Sequence, residues 1–541
     1  MGKHARGISR RSFMKGSLAA VPDIATAGAP PRTALPAINY AKEIILKNGM
    51  LIDMVRPGVI EKGSIKFAQG KIVALGATTF DETHAEVIDL EGAYVVPGLI
   101  DGHCHTTASP VFGTTIWQIP KLLREGKRQY PLCIEAGITT VRDMGAFPPI
   151  LHGNLKDIAK GSLIGPRVIY CNSIMNIKGS HPDVKPTDVS MFAELVKPLI
   201  GMIPMNFEGM EELKSALEEN ARGASFVKLT GDNKSVFCKP GNIPVYSDEH
   251  LREIFAFAEK HNLPVACHNH RKWGFDRITQ YPIHSMEHMI GDAALTDAEV
   301  SRMAKKKICI VPTMAIAQSY LVEEAYADGL PKQFQTDFIM HEIEVRKHYL
   351  KNEAPQHFDP ELIQFTIDEL KYYQTLGWDH LIEHKKYLVN PDLYFGIMLY
   401  GPENLRKMKD AGVLIGCGID AGMPYTFFGG QYREYELLSR VGFKNDEILR
   451  CATIDNARIL KLDDKIGSLA VGKLADIVVL SENPLQKIEA LRQPRMVFRD
   501  GRLLHCTIAL KKGARFRPDS EFYPECGPYK NSAMSASRPC M

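Results

Sequence analysis

The sequence predicts an α/β protein: a (β/α)8 TIM-like barrel with a small β-sandwich domain built from both chain ends. Two observations predict this fold. Apolar strand-like runs alternate with amphipathic helical stretches through the middle of the chain, which is typical of a parallel barrel. Short β-rich runs separated by turn residues occur near both ends. At 541 residues, the chain is long enough for one barrel and one smaller domain.

The β-sandwich is predicted over residues 38–96 and 462–510. On the N-terminal side, runs such as "EIILKNGMLID" and "SIKFAQGKIVAL" contain the hairpin-type breaks Asn48-Gly49 and Gln69-Gly70. On the C-terminal side, "LADIVVLS" and "MVFRDGRLLHC" are likewise short β-rich runs with turn residues. Because these strands flank a long α/β middle, we expect both ends to meet in one domain.

The barrel is predicted over residues 97–461. The candidate strands are "GLIDGHCH", "GITTVRD", "RVIYCN", "SFVKLTG", "LPVACHNH", "IHSMEHM", "ICIVPTM" and "GVLIGCGID". The region from about 315 to 410 is longer than one crossover and rich in charged and aromatic residues. We therefore expect a helical insertion there, over the mouth of the barrel.

The two chain ends are predicted to lie outside both domains. Residues 1–37 contain "SRRSFMK" and a following Ala-x-Ala, a pattern that resembles a twin-arginine export signal and its cleavage site. Export to the periplasm is the prediction, and a disordered basic arm on a cytoplasmic protein is the alternative. Residues 511–541 are expected to form a loosely ordered C-terminal tail.

Composition excludes several classes of function. The net charge is +3 and basic residues are mixed with acidic ones, so we expect no nucleic-acid partner. No run approaches 18 apolar residues, so no membrane span is expected. The 11 cysteines form no C-x-x-C pair, which favours buried thiols over a thiolate metal site or a disulfide framework. The expected partner is a small molecule, and a homo-oligomer is left open.

His103 and His105, in "GLIDGHCH", are the first candidate metal ligands. Side chains alternate between the two faces of a strand, so these two imidazoles project in the same direction. At the C-terminal end of the first barrel strand, that direction is the mouth of the barrel. Two neutral imidazoles there form half of a site for a divalent transition metal.

Later strand ends supply further candidates. Lys228 ends an apolar run, His268 and His270 repeat the H-x-H spacing, and Asp420 ends the Gly-rich "IGCGID". A further pair, His284 and His288, lies in "IHSMEHM", and we expect His284 to be structural. Each later residue alone is better explained as structural, but together, on successive strand ends, they predict a metal-dependent active site.

The order of these motifs resembles that of the amidohydrolase superfamily, and the resemblance extends over roughly residues 43–507. "PGLIDGHCH" and the terminal "IGSLAVGKLADIVVL" are similar to signatures of the whole superfamily. "TTVRDMG", "FVKLTGD", the H-x-H of "VACHNH" and "EHM" are most similar to its Xaa-Pro dipeptidase and ochratoxinase-type members. The resemblance implies that the following residues bind metal: His103, His105, a carboxylated Lys228, His268, His288 and Asp420. The chain departs from the family pattern at "GID", where relatives have Gly-Thr-Asp.

The implied activity is hydrolysis of an amide or peptide-like C–N bond, in an N-acyl amino acid or an Xaa-Pro dipeptide-like substrate. Two divalent metal ions, expected to be Zn²⁺, would share a bridging hydroxide. Asp420 would act as general base and then as general acid. The substrate-binding candidates are His181, Tyr246, His270 and Arg271. Arg142 and Asp143 are expected to form a structural pair.

Two alternatives stay open at the level of sequence. One is another reaction of the same superfamily, hydrolysis of a cyclic amide or deamination. A deaminase would usually need one metal and no bridging lysine, so Lys228 argues against it. The other is a barrel that has lost catalysis and serves as a binding protein, which is disfavoured because every expected ligand position is filled.

Overall fold

A computed structural model describes residues 43–76, 79–111, 119–182, 204–236, 241–321, 330–374 and 391–507. The predicted signal segment (1–37) and tail (511–541) lie outside the described residues, so export stays a prediction. Within the described part of the chain, no helix combines the length and the hydrophobicity needed to cross a bilayer.

The chain is a mixed α/β protein. Its strands, numbered in chain order, are β1 Glu43–Leu51, β2 Glu61–Ala68, β3 Lys71–Gly76, β4 Ala85–Asp89, β5 Tyr94–Pro97, β6 Leu99–Cys104, β7 Ile138–Asp143, β8 Arg167–Tyr170, β9 Met175–Ile177, β10 Met205–Phe207, β11 Val227–Thr230, β12 Val265–His268, β13 Ser285–Glu287, β14 Cys309–Val311, β15 Ile477–Leu480, β16 Met496–Arg499 and β17 Arg502–Cys506.

The α-helices lie mainly between the strands of the central region. They are α1 Ile119–Glu135, α2 Pro148–Lys160, α3 Met210–Asn220, α4 Asp248–Lys260, α5 Lys272–Ile278, α6 Asp297–Lys306, α7 Met314–Tyr320, α8 Asp337–His348, α9 Ala354–His357, α10 Pro360–Gln374, α11 Pro391–Asp410, α12 Tyr432–Val441, α13 Asn445–Arg450 and α14 Asn456–Ile459. Short 3₁₀ segments occur at Lys332–Phe334 and Ile488–Arg492, and π segments at Tyr349–Glu353 and Cys451–Asp455.

Strands from both chain ends form one sheet, in the order β17-β16-β15-β5-β1-β2-β3, with β4 pairing β1. The two ends join where β5 pairs antiparallel with β15. Three strands lie between β2 and β16 in this order, yet the rings of Phe67 in β2 and Phe498 in β16 pack edge to face at 5.4 Å. The sheet therefore bends around a shared apolar core. Its division into the two layers of a β-sandwich stays a prediction.

The central strands are parallel. They form a three-stranded sheet β6-β7-β8, a four-stranded sheet β11-β12-β13-β14 and the short pair β9-β10. Every residue of β6 and β7 is buried, as expected for strands covered on both faces. The Ser225 backbone N–H donates to the Tyr170 carbonyl oxygen at 2.9 Å, which links the three-stranded sheet to the start of β11.

The segment 413–421 lies between β14 and β6 and bonds to both. The Ile310 N–H donates to the Leu414 carbonyl, and the Gly102 N–H donates to the Cys417 carbonyl. The sequence predicts a regular strand here, but only isolated bridges occur, at Ile415 and Ala421. The reason is Asn456, whose side chain bonds both the N–H and the carbonyl of Cys417 and so replaces ladder hydrogen bonds.

Capping residues explain where the barrel helices begin. The Ser247 hydroxyl accepts from the His250 N–H at the start of α4, and Thr296 forms the equivalent capping box with Glu299 at α6. Both helices bury one apolar face.

The described part of the predicted insertion is helical and comprises α7 to α11. Hydrogen bonds and an ion pair connect two of its helices, α7 and α8, to each other and to α12. Gln318 of α7 donates to Glu342 of α8 at 2.5 Å, Arg440 of α12 forms an ion pair with Glu342, and Arg433 donates to Gln318. The C-terminal end of α7 and the N-terminal half of α11 reach the cavity described next.

Candidate metal centre

The C-terminal ends of the parallel strands surround a cavity with about 500 Å³ of empty space, part of which is open to solvent. Eight residues singled out in the sequence line it: His103, His105, His181, Lys228, His268, His270, His288 and Asp420. They come from β6, β11, β12, the residue after β13, the segment 413–421 and neighbouring loops. Residues far apart in the chain thus meet at the edge where barrel active sites lie.

His103, His105 and Asp420 form one group at the cavity. The Asp420 Oδ1 atom lies 3.3 Å from His103 Nε2 and 3.2 Å from His105 Nε2. Burial opposes ionisation of Asp420, but His103 and His105 outweigh it and hold the pKa of the carboxyl far below its ordinary value. Asp420 is therefore an anion at neutral pH.

His268, His270 and His288 form a second group. Their ring centroids are 4.4 to 4.7 Å apart, and their candidate ligand atoms all lie within 4.8 Å of one another. The same limit holds for His103, His288 and Asp420, so His288 belongs to both groups. Burial lowers the pKa of His270 to about 3 and that of His268 and His288 well below the ordinary value. These imidazoles are neutral, the form that binds metal.

Lys228 extends into the same cavity and is 1% exposed. Burial lowers the pKa of its ammonium. Neither Lys228 Nζ nor His268 Nε2 has a hydrogen-bond partner among the described residues. Buried polar atoms without partners are uncommon and call for an explanation. Unpartnered nitrogens beside neutral imidazoles and a carboxylate fit the donor set of a divalent transition-metal site.

The Nδ1 atom of four imidazoles is hydrogen-bonded to the protein, so that Nε2 is the ring atom directed toward the cavity. The partners of Nδ1 are the Glu287 carboxylate for His103 (2.9 Å), the Gly145 carbonyl for His105 (2.7 Å), the Met289 carbonyl for His270 (3.2 Å) and the Thr313 hydroxyl for His288 (2.6 Å). These contacts fix the orientation of all four rings. At His103, His105 and His270, whose partners can only accept, they also fix the tautomer with the proton on Nδ1.

Glu287 and Arg142 form a buried ion pair that the sequence analysis missed. Arg142 Nη2 lies 2.5 Å from Glu287 Oε1, and the Ser285 hydroxyl donates to the same oxygen at 2.6 Å. Burial disfavours the charged form of Glu287, but Arg142, His103 and Lys228 together lower its pKa to about 2. A glutamate within the apolar strand "IHSMEHM" is a signal that would have identified it, because a buried carboxylate needs a partner.

The expected Arg142–Asp143 pair is wrong. Neighbouring residues of a strand point to opposite faces, so these two side chains cannot meet. Asp143 instead accepts hydrogen bonds from the backbone N–H groups of Thr106 and Gly145, each at 3.0 Å. It holds the loop that follows His105.

Asp232 is a second buried carboxylate that the sequence analysis missed. It accepts from the backbone N–H groups of His270 (2.9 Å) and Arg271 (3.0 Å), and it lies 3.6 Å from His268 Nε2. Burial raises its pKa to about 7. Asp232 fixes the turn that follows β12 and with it the direction of both histidines.

The four substrate-binding candidates divide into two pairs. His181 and His270 line the cavity, and His181 stacks on His268 at 4.7 Å. Tyr246 and Arg271 are not among the described residues that line it. The Tyr246 hydroxyl donates to the Met175 carbonyl at 2.5 Å, and Arg271 is anchored through its backbone to Asp232. Tyr320 and Tyr394, which the sequence analysis did not single out, line the cavity instead.

Three residues at the centre have a left-handed backbone although none is glycine. The φ angles are 75° at His288, 47° at Thr313 and 61° at Asp420. This region is costly for residues with a Cβ, most of all for a β-branched one such as Thr313. Strain of this kind is common at functional sites, where the surrounding structure enforces it.

The sequence also matches a known family. A family model described as "Amidohydrolase family" matches residues 94–504, which is most of the chain. The chain belongs to the amidohydrolase family. The members of this family are metal-dependent hydrolases of C–N bonds, and membership implies an α/β TIM-like barrel.

Individual relatives are more distant. An imidazolonepropionase of Staphylococcus aureus (strain Newman) is 26% identical over 320 residues, 54% of this chain and 72% of that protein. Adenine deaminase 1 of Latilactobacillus sakei is 35% identical over 105 residues, and the match covers only 16% of that protein's length.

Solved structures share the fold of this family member. A Xaa-Pro dipeptidase with methionine bound in its active site superposes with a TM-score of 0.61 at 21% identity, covering 85% of this chain and 99% of that one. Ochratoxinase of A. niger gives a TM-score of 0.61 at 19% identity, over 86% and 96% of the two chains.

Proposed function

We propose that the protein is a binuclear metal-dependent hydrolase that cleaves an amide or peptide-like C–N bond. The observation that supports this most directly is the meeting of Lys228, five histidines from three strand ends and Asp420 around one cavity. A non-catalytic binding protein is a poorer explanation, because it would not require a buried, unpartnered lysine beside these ligands.

The proposed ligands are the six that the family resemblance implies: His103, His105, Lys228, His268, His288 and Asp420. The desolvated amine of Lys228 is suited to reaction with carbon dioxide, with loss of a proton, to a carbamate. The carbamate would supply anionic oxygen atoms as metal ligands. Divalent metal ions, proposed to be Zn²⁺, supply Lewis-acid polarisation of a carbonyl and activation of water at neutral pH.

Asp420 is the proposed proton carrier. Its Oδ1 atom faces two imidazoles, and its low pKa keeps it ionised at neutral pH, the form that a general base needs. Asp420 would take the proton of the attacking water and deliver it to the leaving amine. Glu287 and Thr313 hold His103 and His288 in place during this transfer. His181 and His270 remain available to contact the substrate.

The proposed substrate is an N-acyl amino acid or an Xaa-Pro dipeptide-like molecule, as the resemblance to dipeptidases and ochratoxinase suggests. The alternative is a cyclic amide, which the match to an imidazolonepropionase over 320 residues favours. A deaminase is less well supported, since the adenine deaminase match covers only 19% of this chain.

The architecture we propose around this site is one closed barrel of eight parallel strands over residues 97–461. The hydrogen bonds from the segment 413–421 to both β6 and β14 support closure on one side, and the Ser225–Tyr170 bond supports it on the other. Residues 38–96 and 462–510 would form the composite β-sandwich, supported by the Phe67–Phe498 contact across the bent sheet.

The test is metal analysis combined with an activity screen on one preparation of the full chain. We expect about two Zn²⁺ per chain and hydrolysis of N-acyl amino acids or Xaa-Pro dipeptides. The Asp420→Asn variant should lose activity by about 10²–10⁴-fold while remaining folded. Hydrolysis of ring amides alone would favour the alternative. Absence of any bound metal in active protein would contradict the proposal.

A further inference from the structure

Two tyrosines of the helical insertion face the metal centre. Tyr320 ends α7 and Tyr394 lies in the first turn of α11, so the two come from different helices. Both line the cavity, and they are only 5% and 3% exposed. The proposed hydrolysis gives neither tyrosine a role in metal binding or proton transfer.

The two rings form a continuous aromatic surface that begins at the histidine cluster. Tyr394 packs against His270 with ring centroids 5.5 Å apart, and Tyr320 packs against Tyr394 at 4.5 Å. Ile316 and Met423 line the cavity beside them. A substrate group placed here would therefore lie one residue away from the proposed metal ligands, in mainly apolar surroundings.

The two hydroxyls add polar character to this surface. No hydrogen bond from Tyr320 or Tyr394 is found within the described part of the chain. The buried Tyr246 hydroxyl, in contrast, donates to the Met175 carbonyl. Neither hydroxyl of the cavity tyrosines is a fully buried atom without a partner, so an acceptor on a bound molecule can reach both. Burial raises the pKa of both phenols, so each stays protonated and able to donate.

We propose that Tyr320 and Tyr394 form a specificity subsite for a planar apolar group of the substrate, with their hydroxyls donating to an acceptor beside it. This inference rests on the proposed function and narrows it to amides with an aromatic group on the acyl or the amine side. A bare carboxylate is a poor occupant, because burying a charge against apolar walls and neutral donors is costly.

The experiment uses metal-loaded full-length protein and three substrates that differ by one ring. N-acetylglycine has none, N-benzoylglycine has the ring on the acyl side, and N-acetylphenylalanine has it on the amine side. We expect at least one ring-bearing substrate to exceed N-acetylglycine about 10-fold in kcat/KM. The Tyr394→Leu and Tyr320→Leu variants should reduce this preference below about 3-fold.

The hydroxyls are tested by the conservative variants Tyr320→Phe and Tyr394→Phe. Each should raise KM about 2- to 10-fold for the preferred substrate and leave kcat within 2-fold. Tyr435→Phe is the matched control, because Tyr435 is equally buried in α12 but does not line the cavity. Equal preference in the wild type and both Leu variants would overturn the subsite.

A binding measurement tests the aromatic subsite independently of the proposed hydrolytic function. If metal-loaded wild type hydrolyses none of the three substrates, the proposed function is in question. Calorimetric binding of N-benzoylglycine then decides on the subsite alone. Binding about 10-fold weaker to Tyr394→Leu than to wild type supports it, whereas equal binding, or none to wild type, overturns it.

Discussion

Two neighbouring regions of the buried interior differ in how their polar groups are satisfied. In the arginine–glutamate cluster (Arg142, Ser285 and Glu287), the guanidinium donates to Gly102, Ser285 and Glu287. In the cavity, Lys228 Nζ and His268 Nε2 have no partner among the described residues. The cluster touches the cavity through His103, whose ring it orients. The arginine–glutamate cluster, whose polar groups bond one another, therefore orients a histidine of the cavity. In the cavity, the nitrogens of Lys228 and His268 remain available to bind a ligand.

The largest effect should follow from removing the cavity's lysine. We expect Lys228→Met to lower kcat/KM by about 10³-fold or more, because groups that act as one unit fail together. Metal content should fall from two per chain to one or less. Lys305→Met, on the exposed face of α6, is the control. Full metal content and turnover in Lys228→Met would eliminate the binuclear proposal.

The next effect comes from breaking the arginine–glutamate cluster. Glu287→Gln keeps the side-chain shape but leaves the Arg142 guanidinium buried without its counter-charge. We expect a loss of about 3–5 kcal/mol in the free energy of unfolding and 10- to 100-fold weaker metal binding. Chemical denaturation and metal titration measure the two. Glu403→Gln, which affects an exposed pair with Lys407, is the control and should change neither the free energy of unfolding nor metal affinity. Unchanged metal affinity in Glu287→Gln would show that the cluster is not needed to orient His103.

A smaller effect on metal affinity is expected at Thr313, which contacts the proposed ligand His288. Thr313→Val removes the hydroxyl that contacts His288 Nδ1 while preserving the branched shape. Metal affinity should fall about 10-fold, with little change in unfolding. The control is Thr366→Val, because Thr366 is also buried and bonds a helix carbonyl away from the cavity. Equal metal affinity in both variants would argue against a positioning role for Thr313.

The smallest effect is expected for Ser285→Ala, which tests whether the Ser285 hydroxyl contributes only to the stability of the cluster or also to metal binding. Ser285→Ala deletes one hydroxyl between Arg142 and Glu287, and both partners keep their other bonds. The expected cost is about 1 kcal/mol in the free energy of unfolding, with two metal ions retained. A loss of metal comparable to that of Glu287→Gln would mean that the hydroxyl, and not the ion pair, sets the position of His103.

Local patterns predicted the parts of the site that lie at strand ends. The H-x-H spacing placed His103 and His105 on one face, and strand-end positions singled out Lys228, His288 and Asp420. The family resemblance then implied that these residues bind metal. The partners that hold them were not predictable from local pattern. Arg142 and Glu287 are 145 residues apart, and no periodicity links them.

The substrate side was predicted less well, for a related reason. Arg271 follows His268 closely in sequence and Tyr246 lies in a predicted loop, but neither fact fixes the direction of a side chain. Tyr320 and Tyr394 lie in helices where an aromatic residue is typical of an ordinary core position. Only the packing of two helices against the strand ends reveals which tyrosines face the cavity.

The left-handed backbone at His288, Thr313 and Asp420 has a consequence for protein engineering. Glycine or asparagine tolerates such angles better than threonine does, so a heat-resistance screen without an activity check would be expected to enrich Thr313→Gly or Thr313→Asn. Those clones would outlast the parent on warming and yet hold their metal less tightly. Selection at this position must therefore score turnover together with durability.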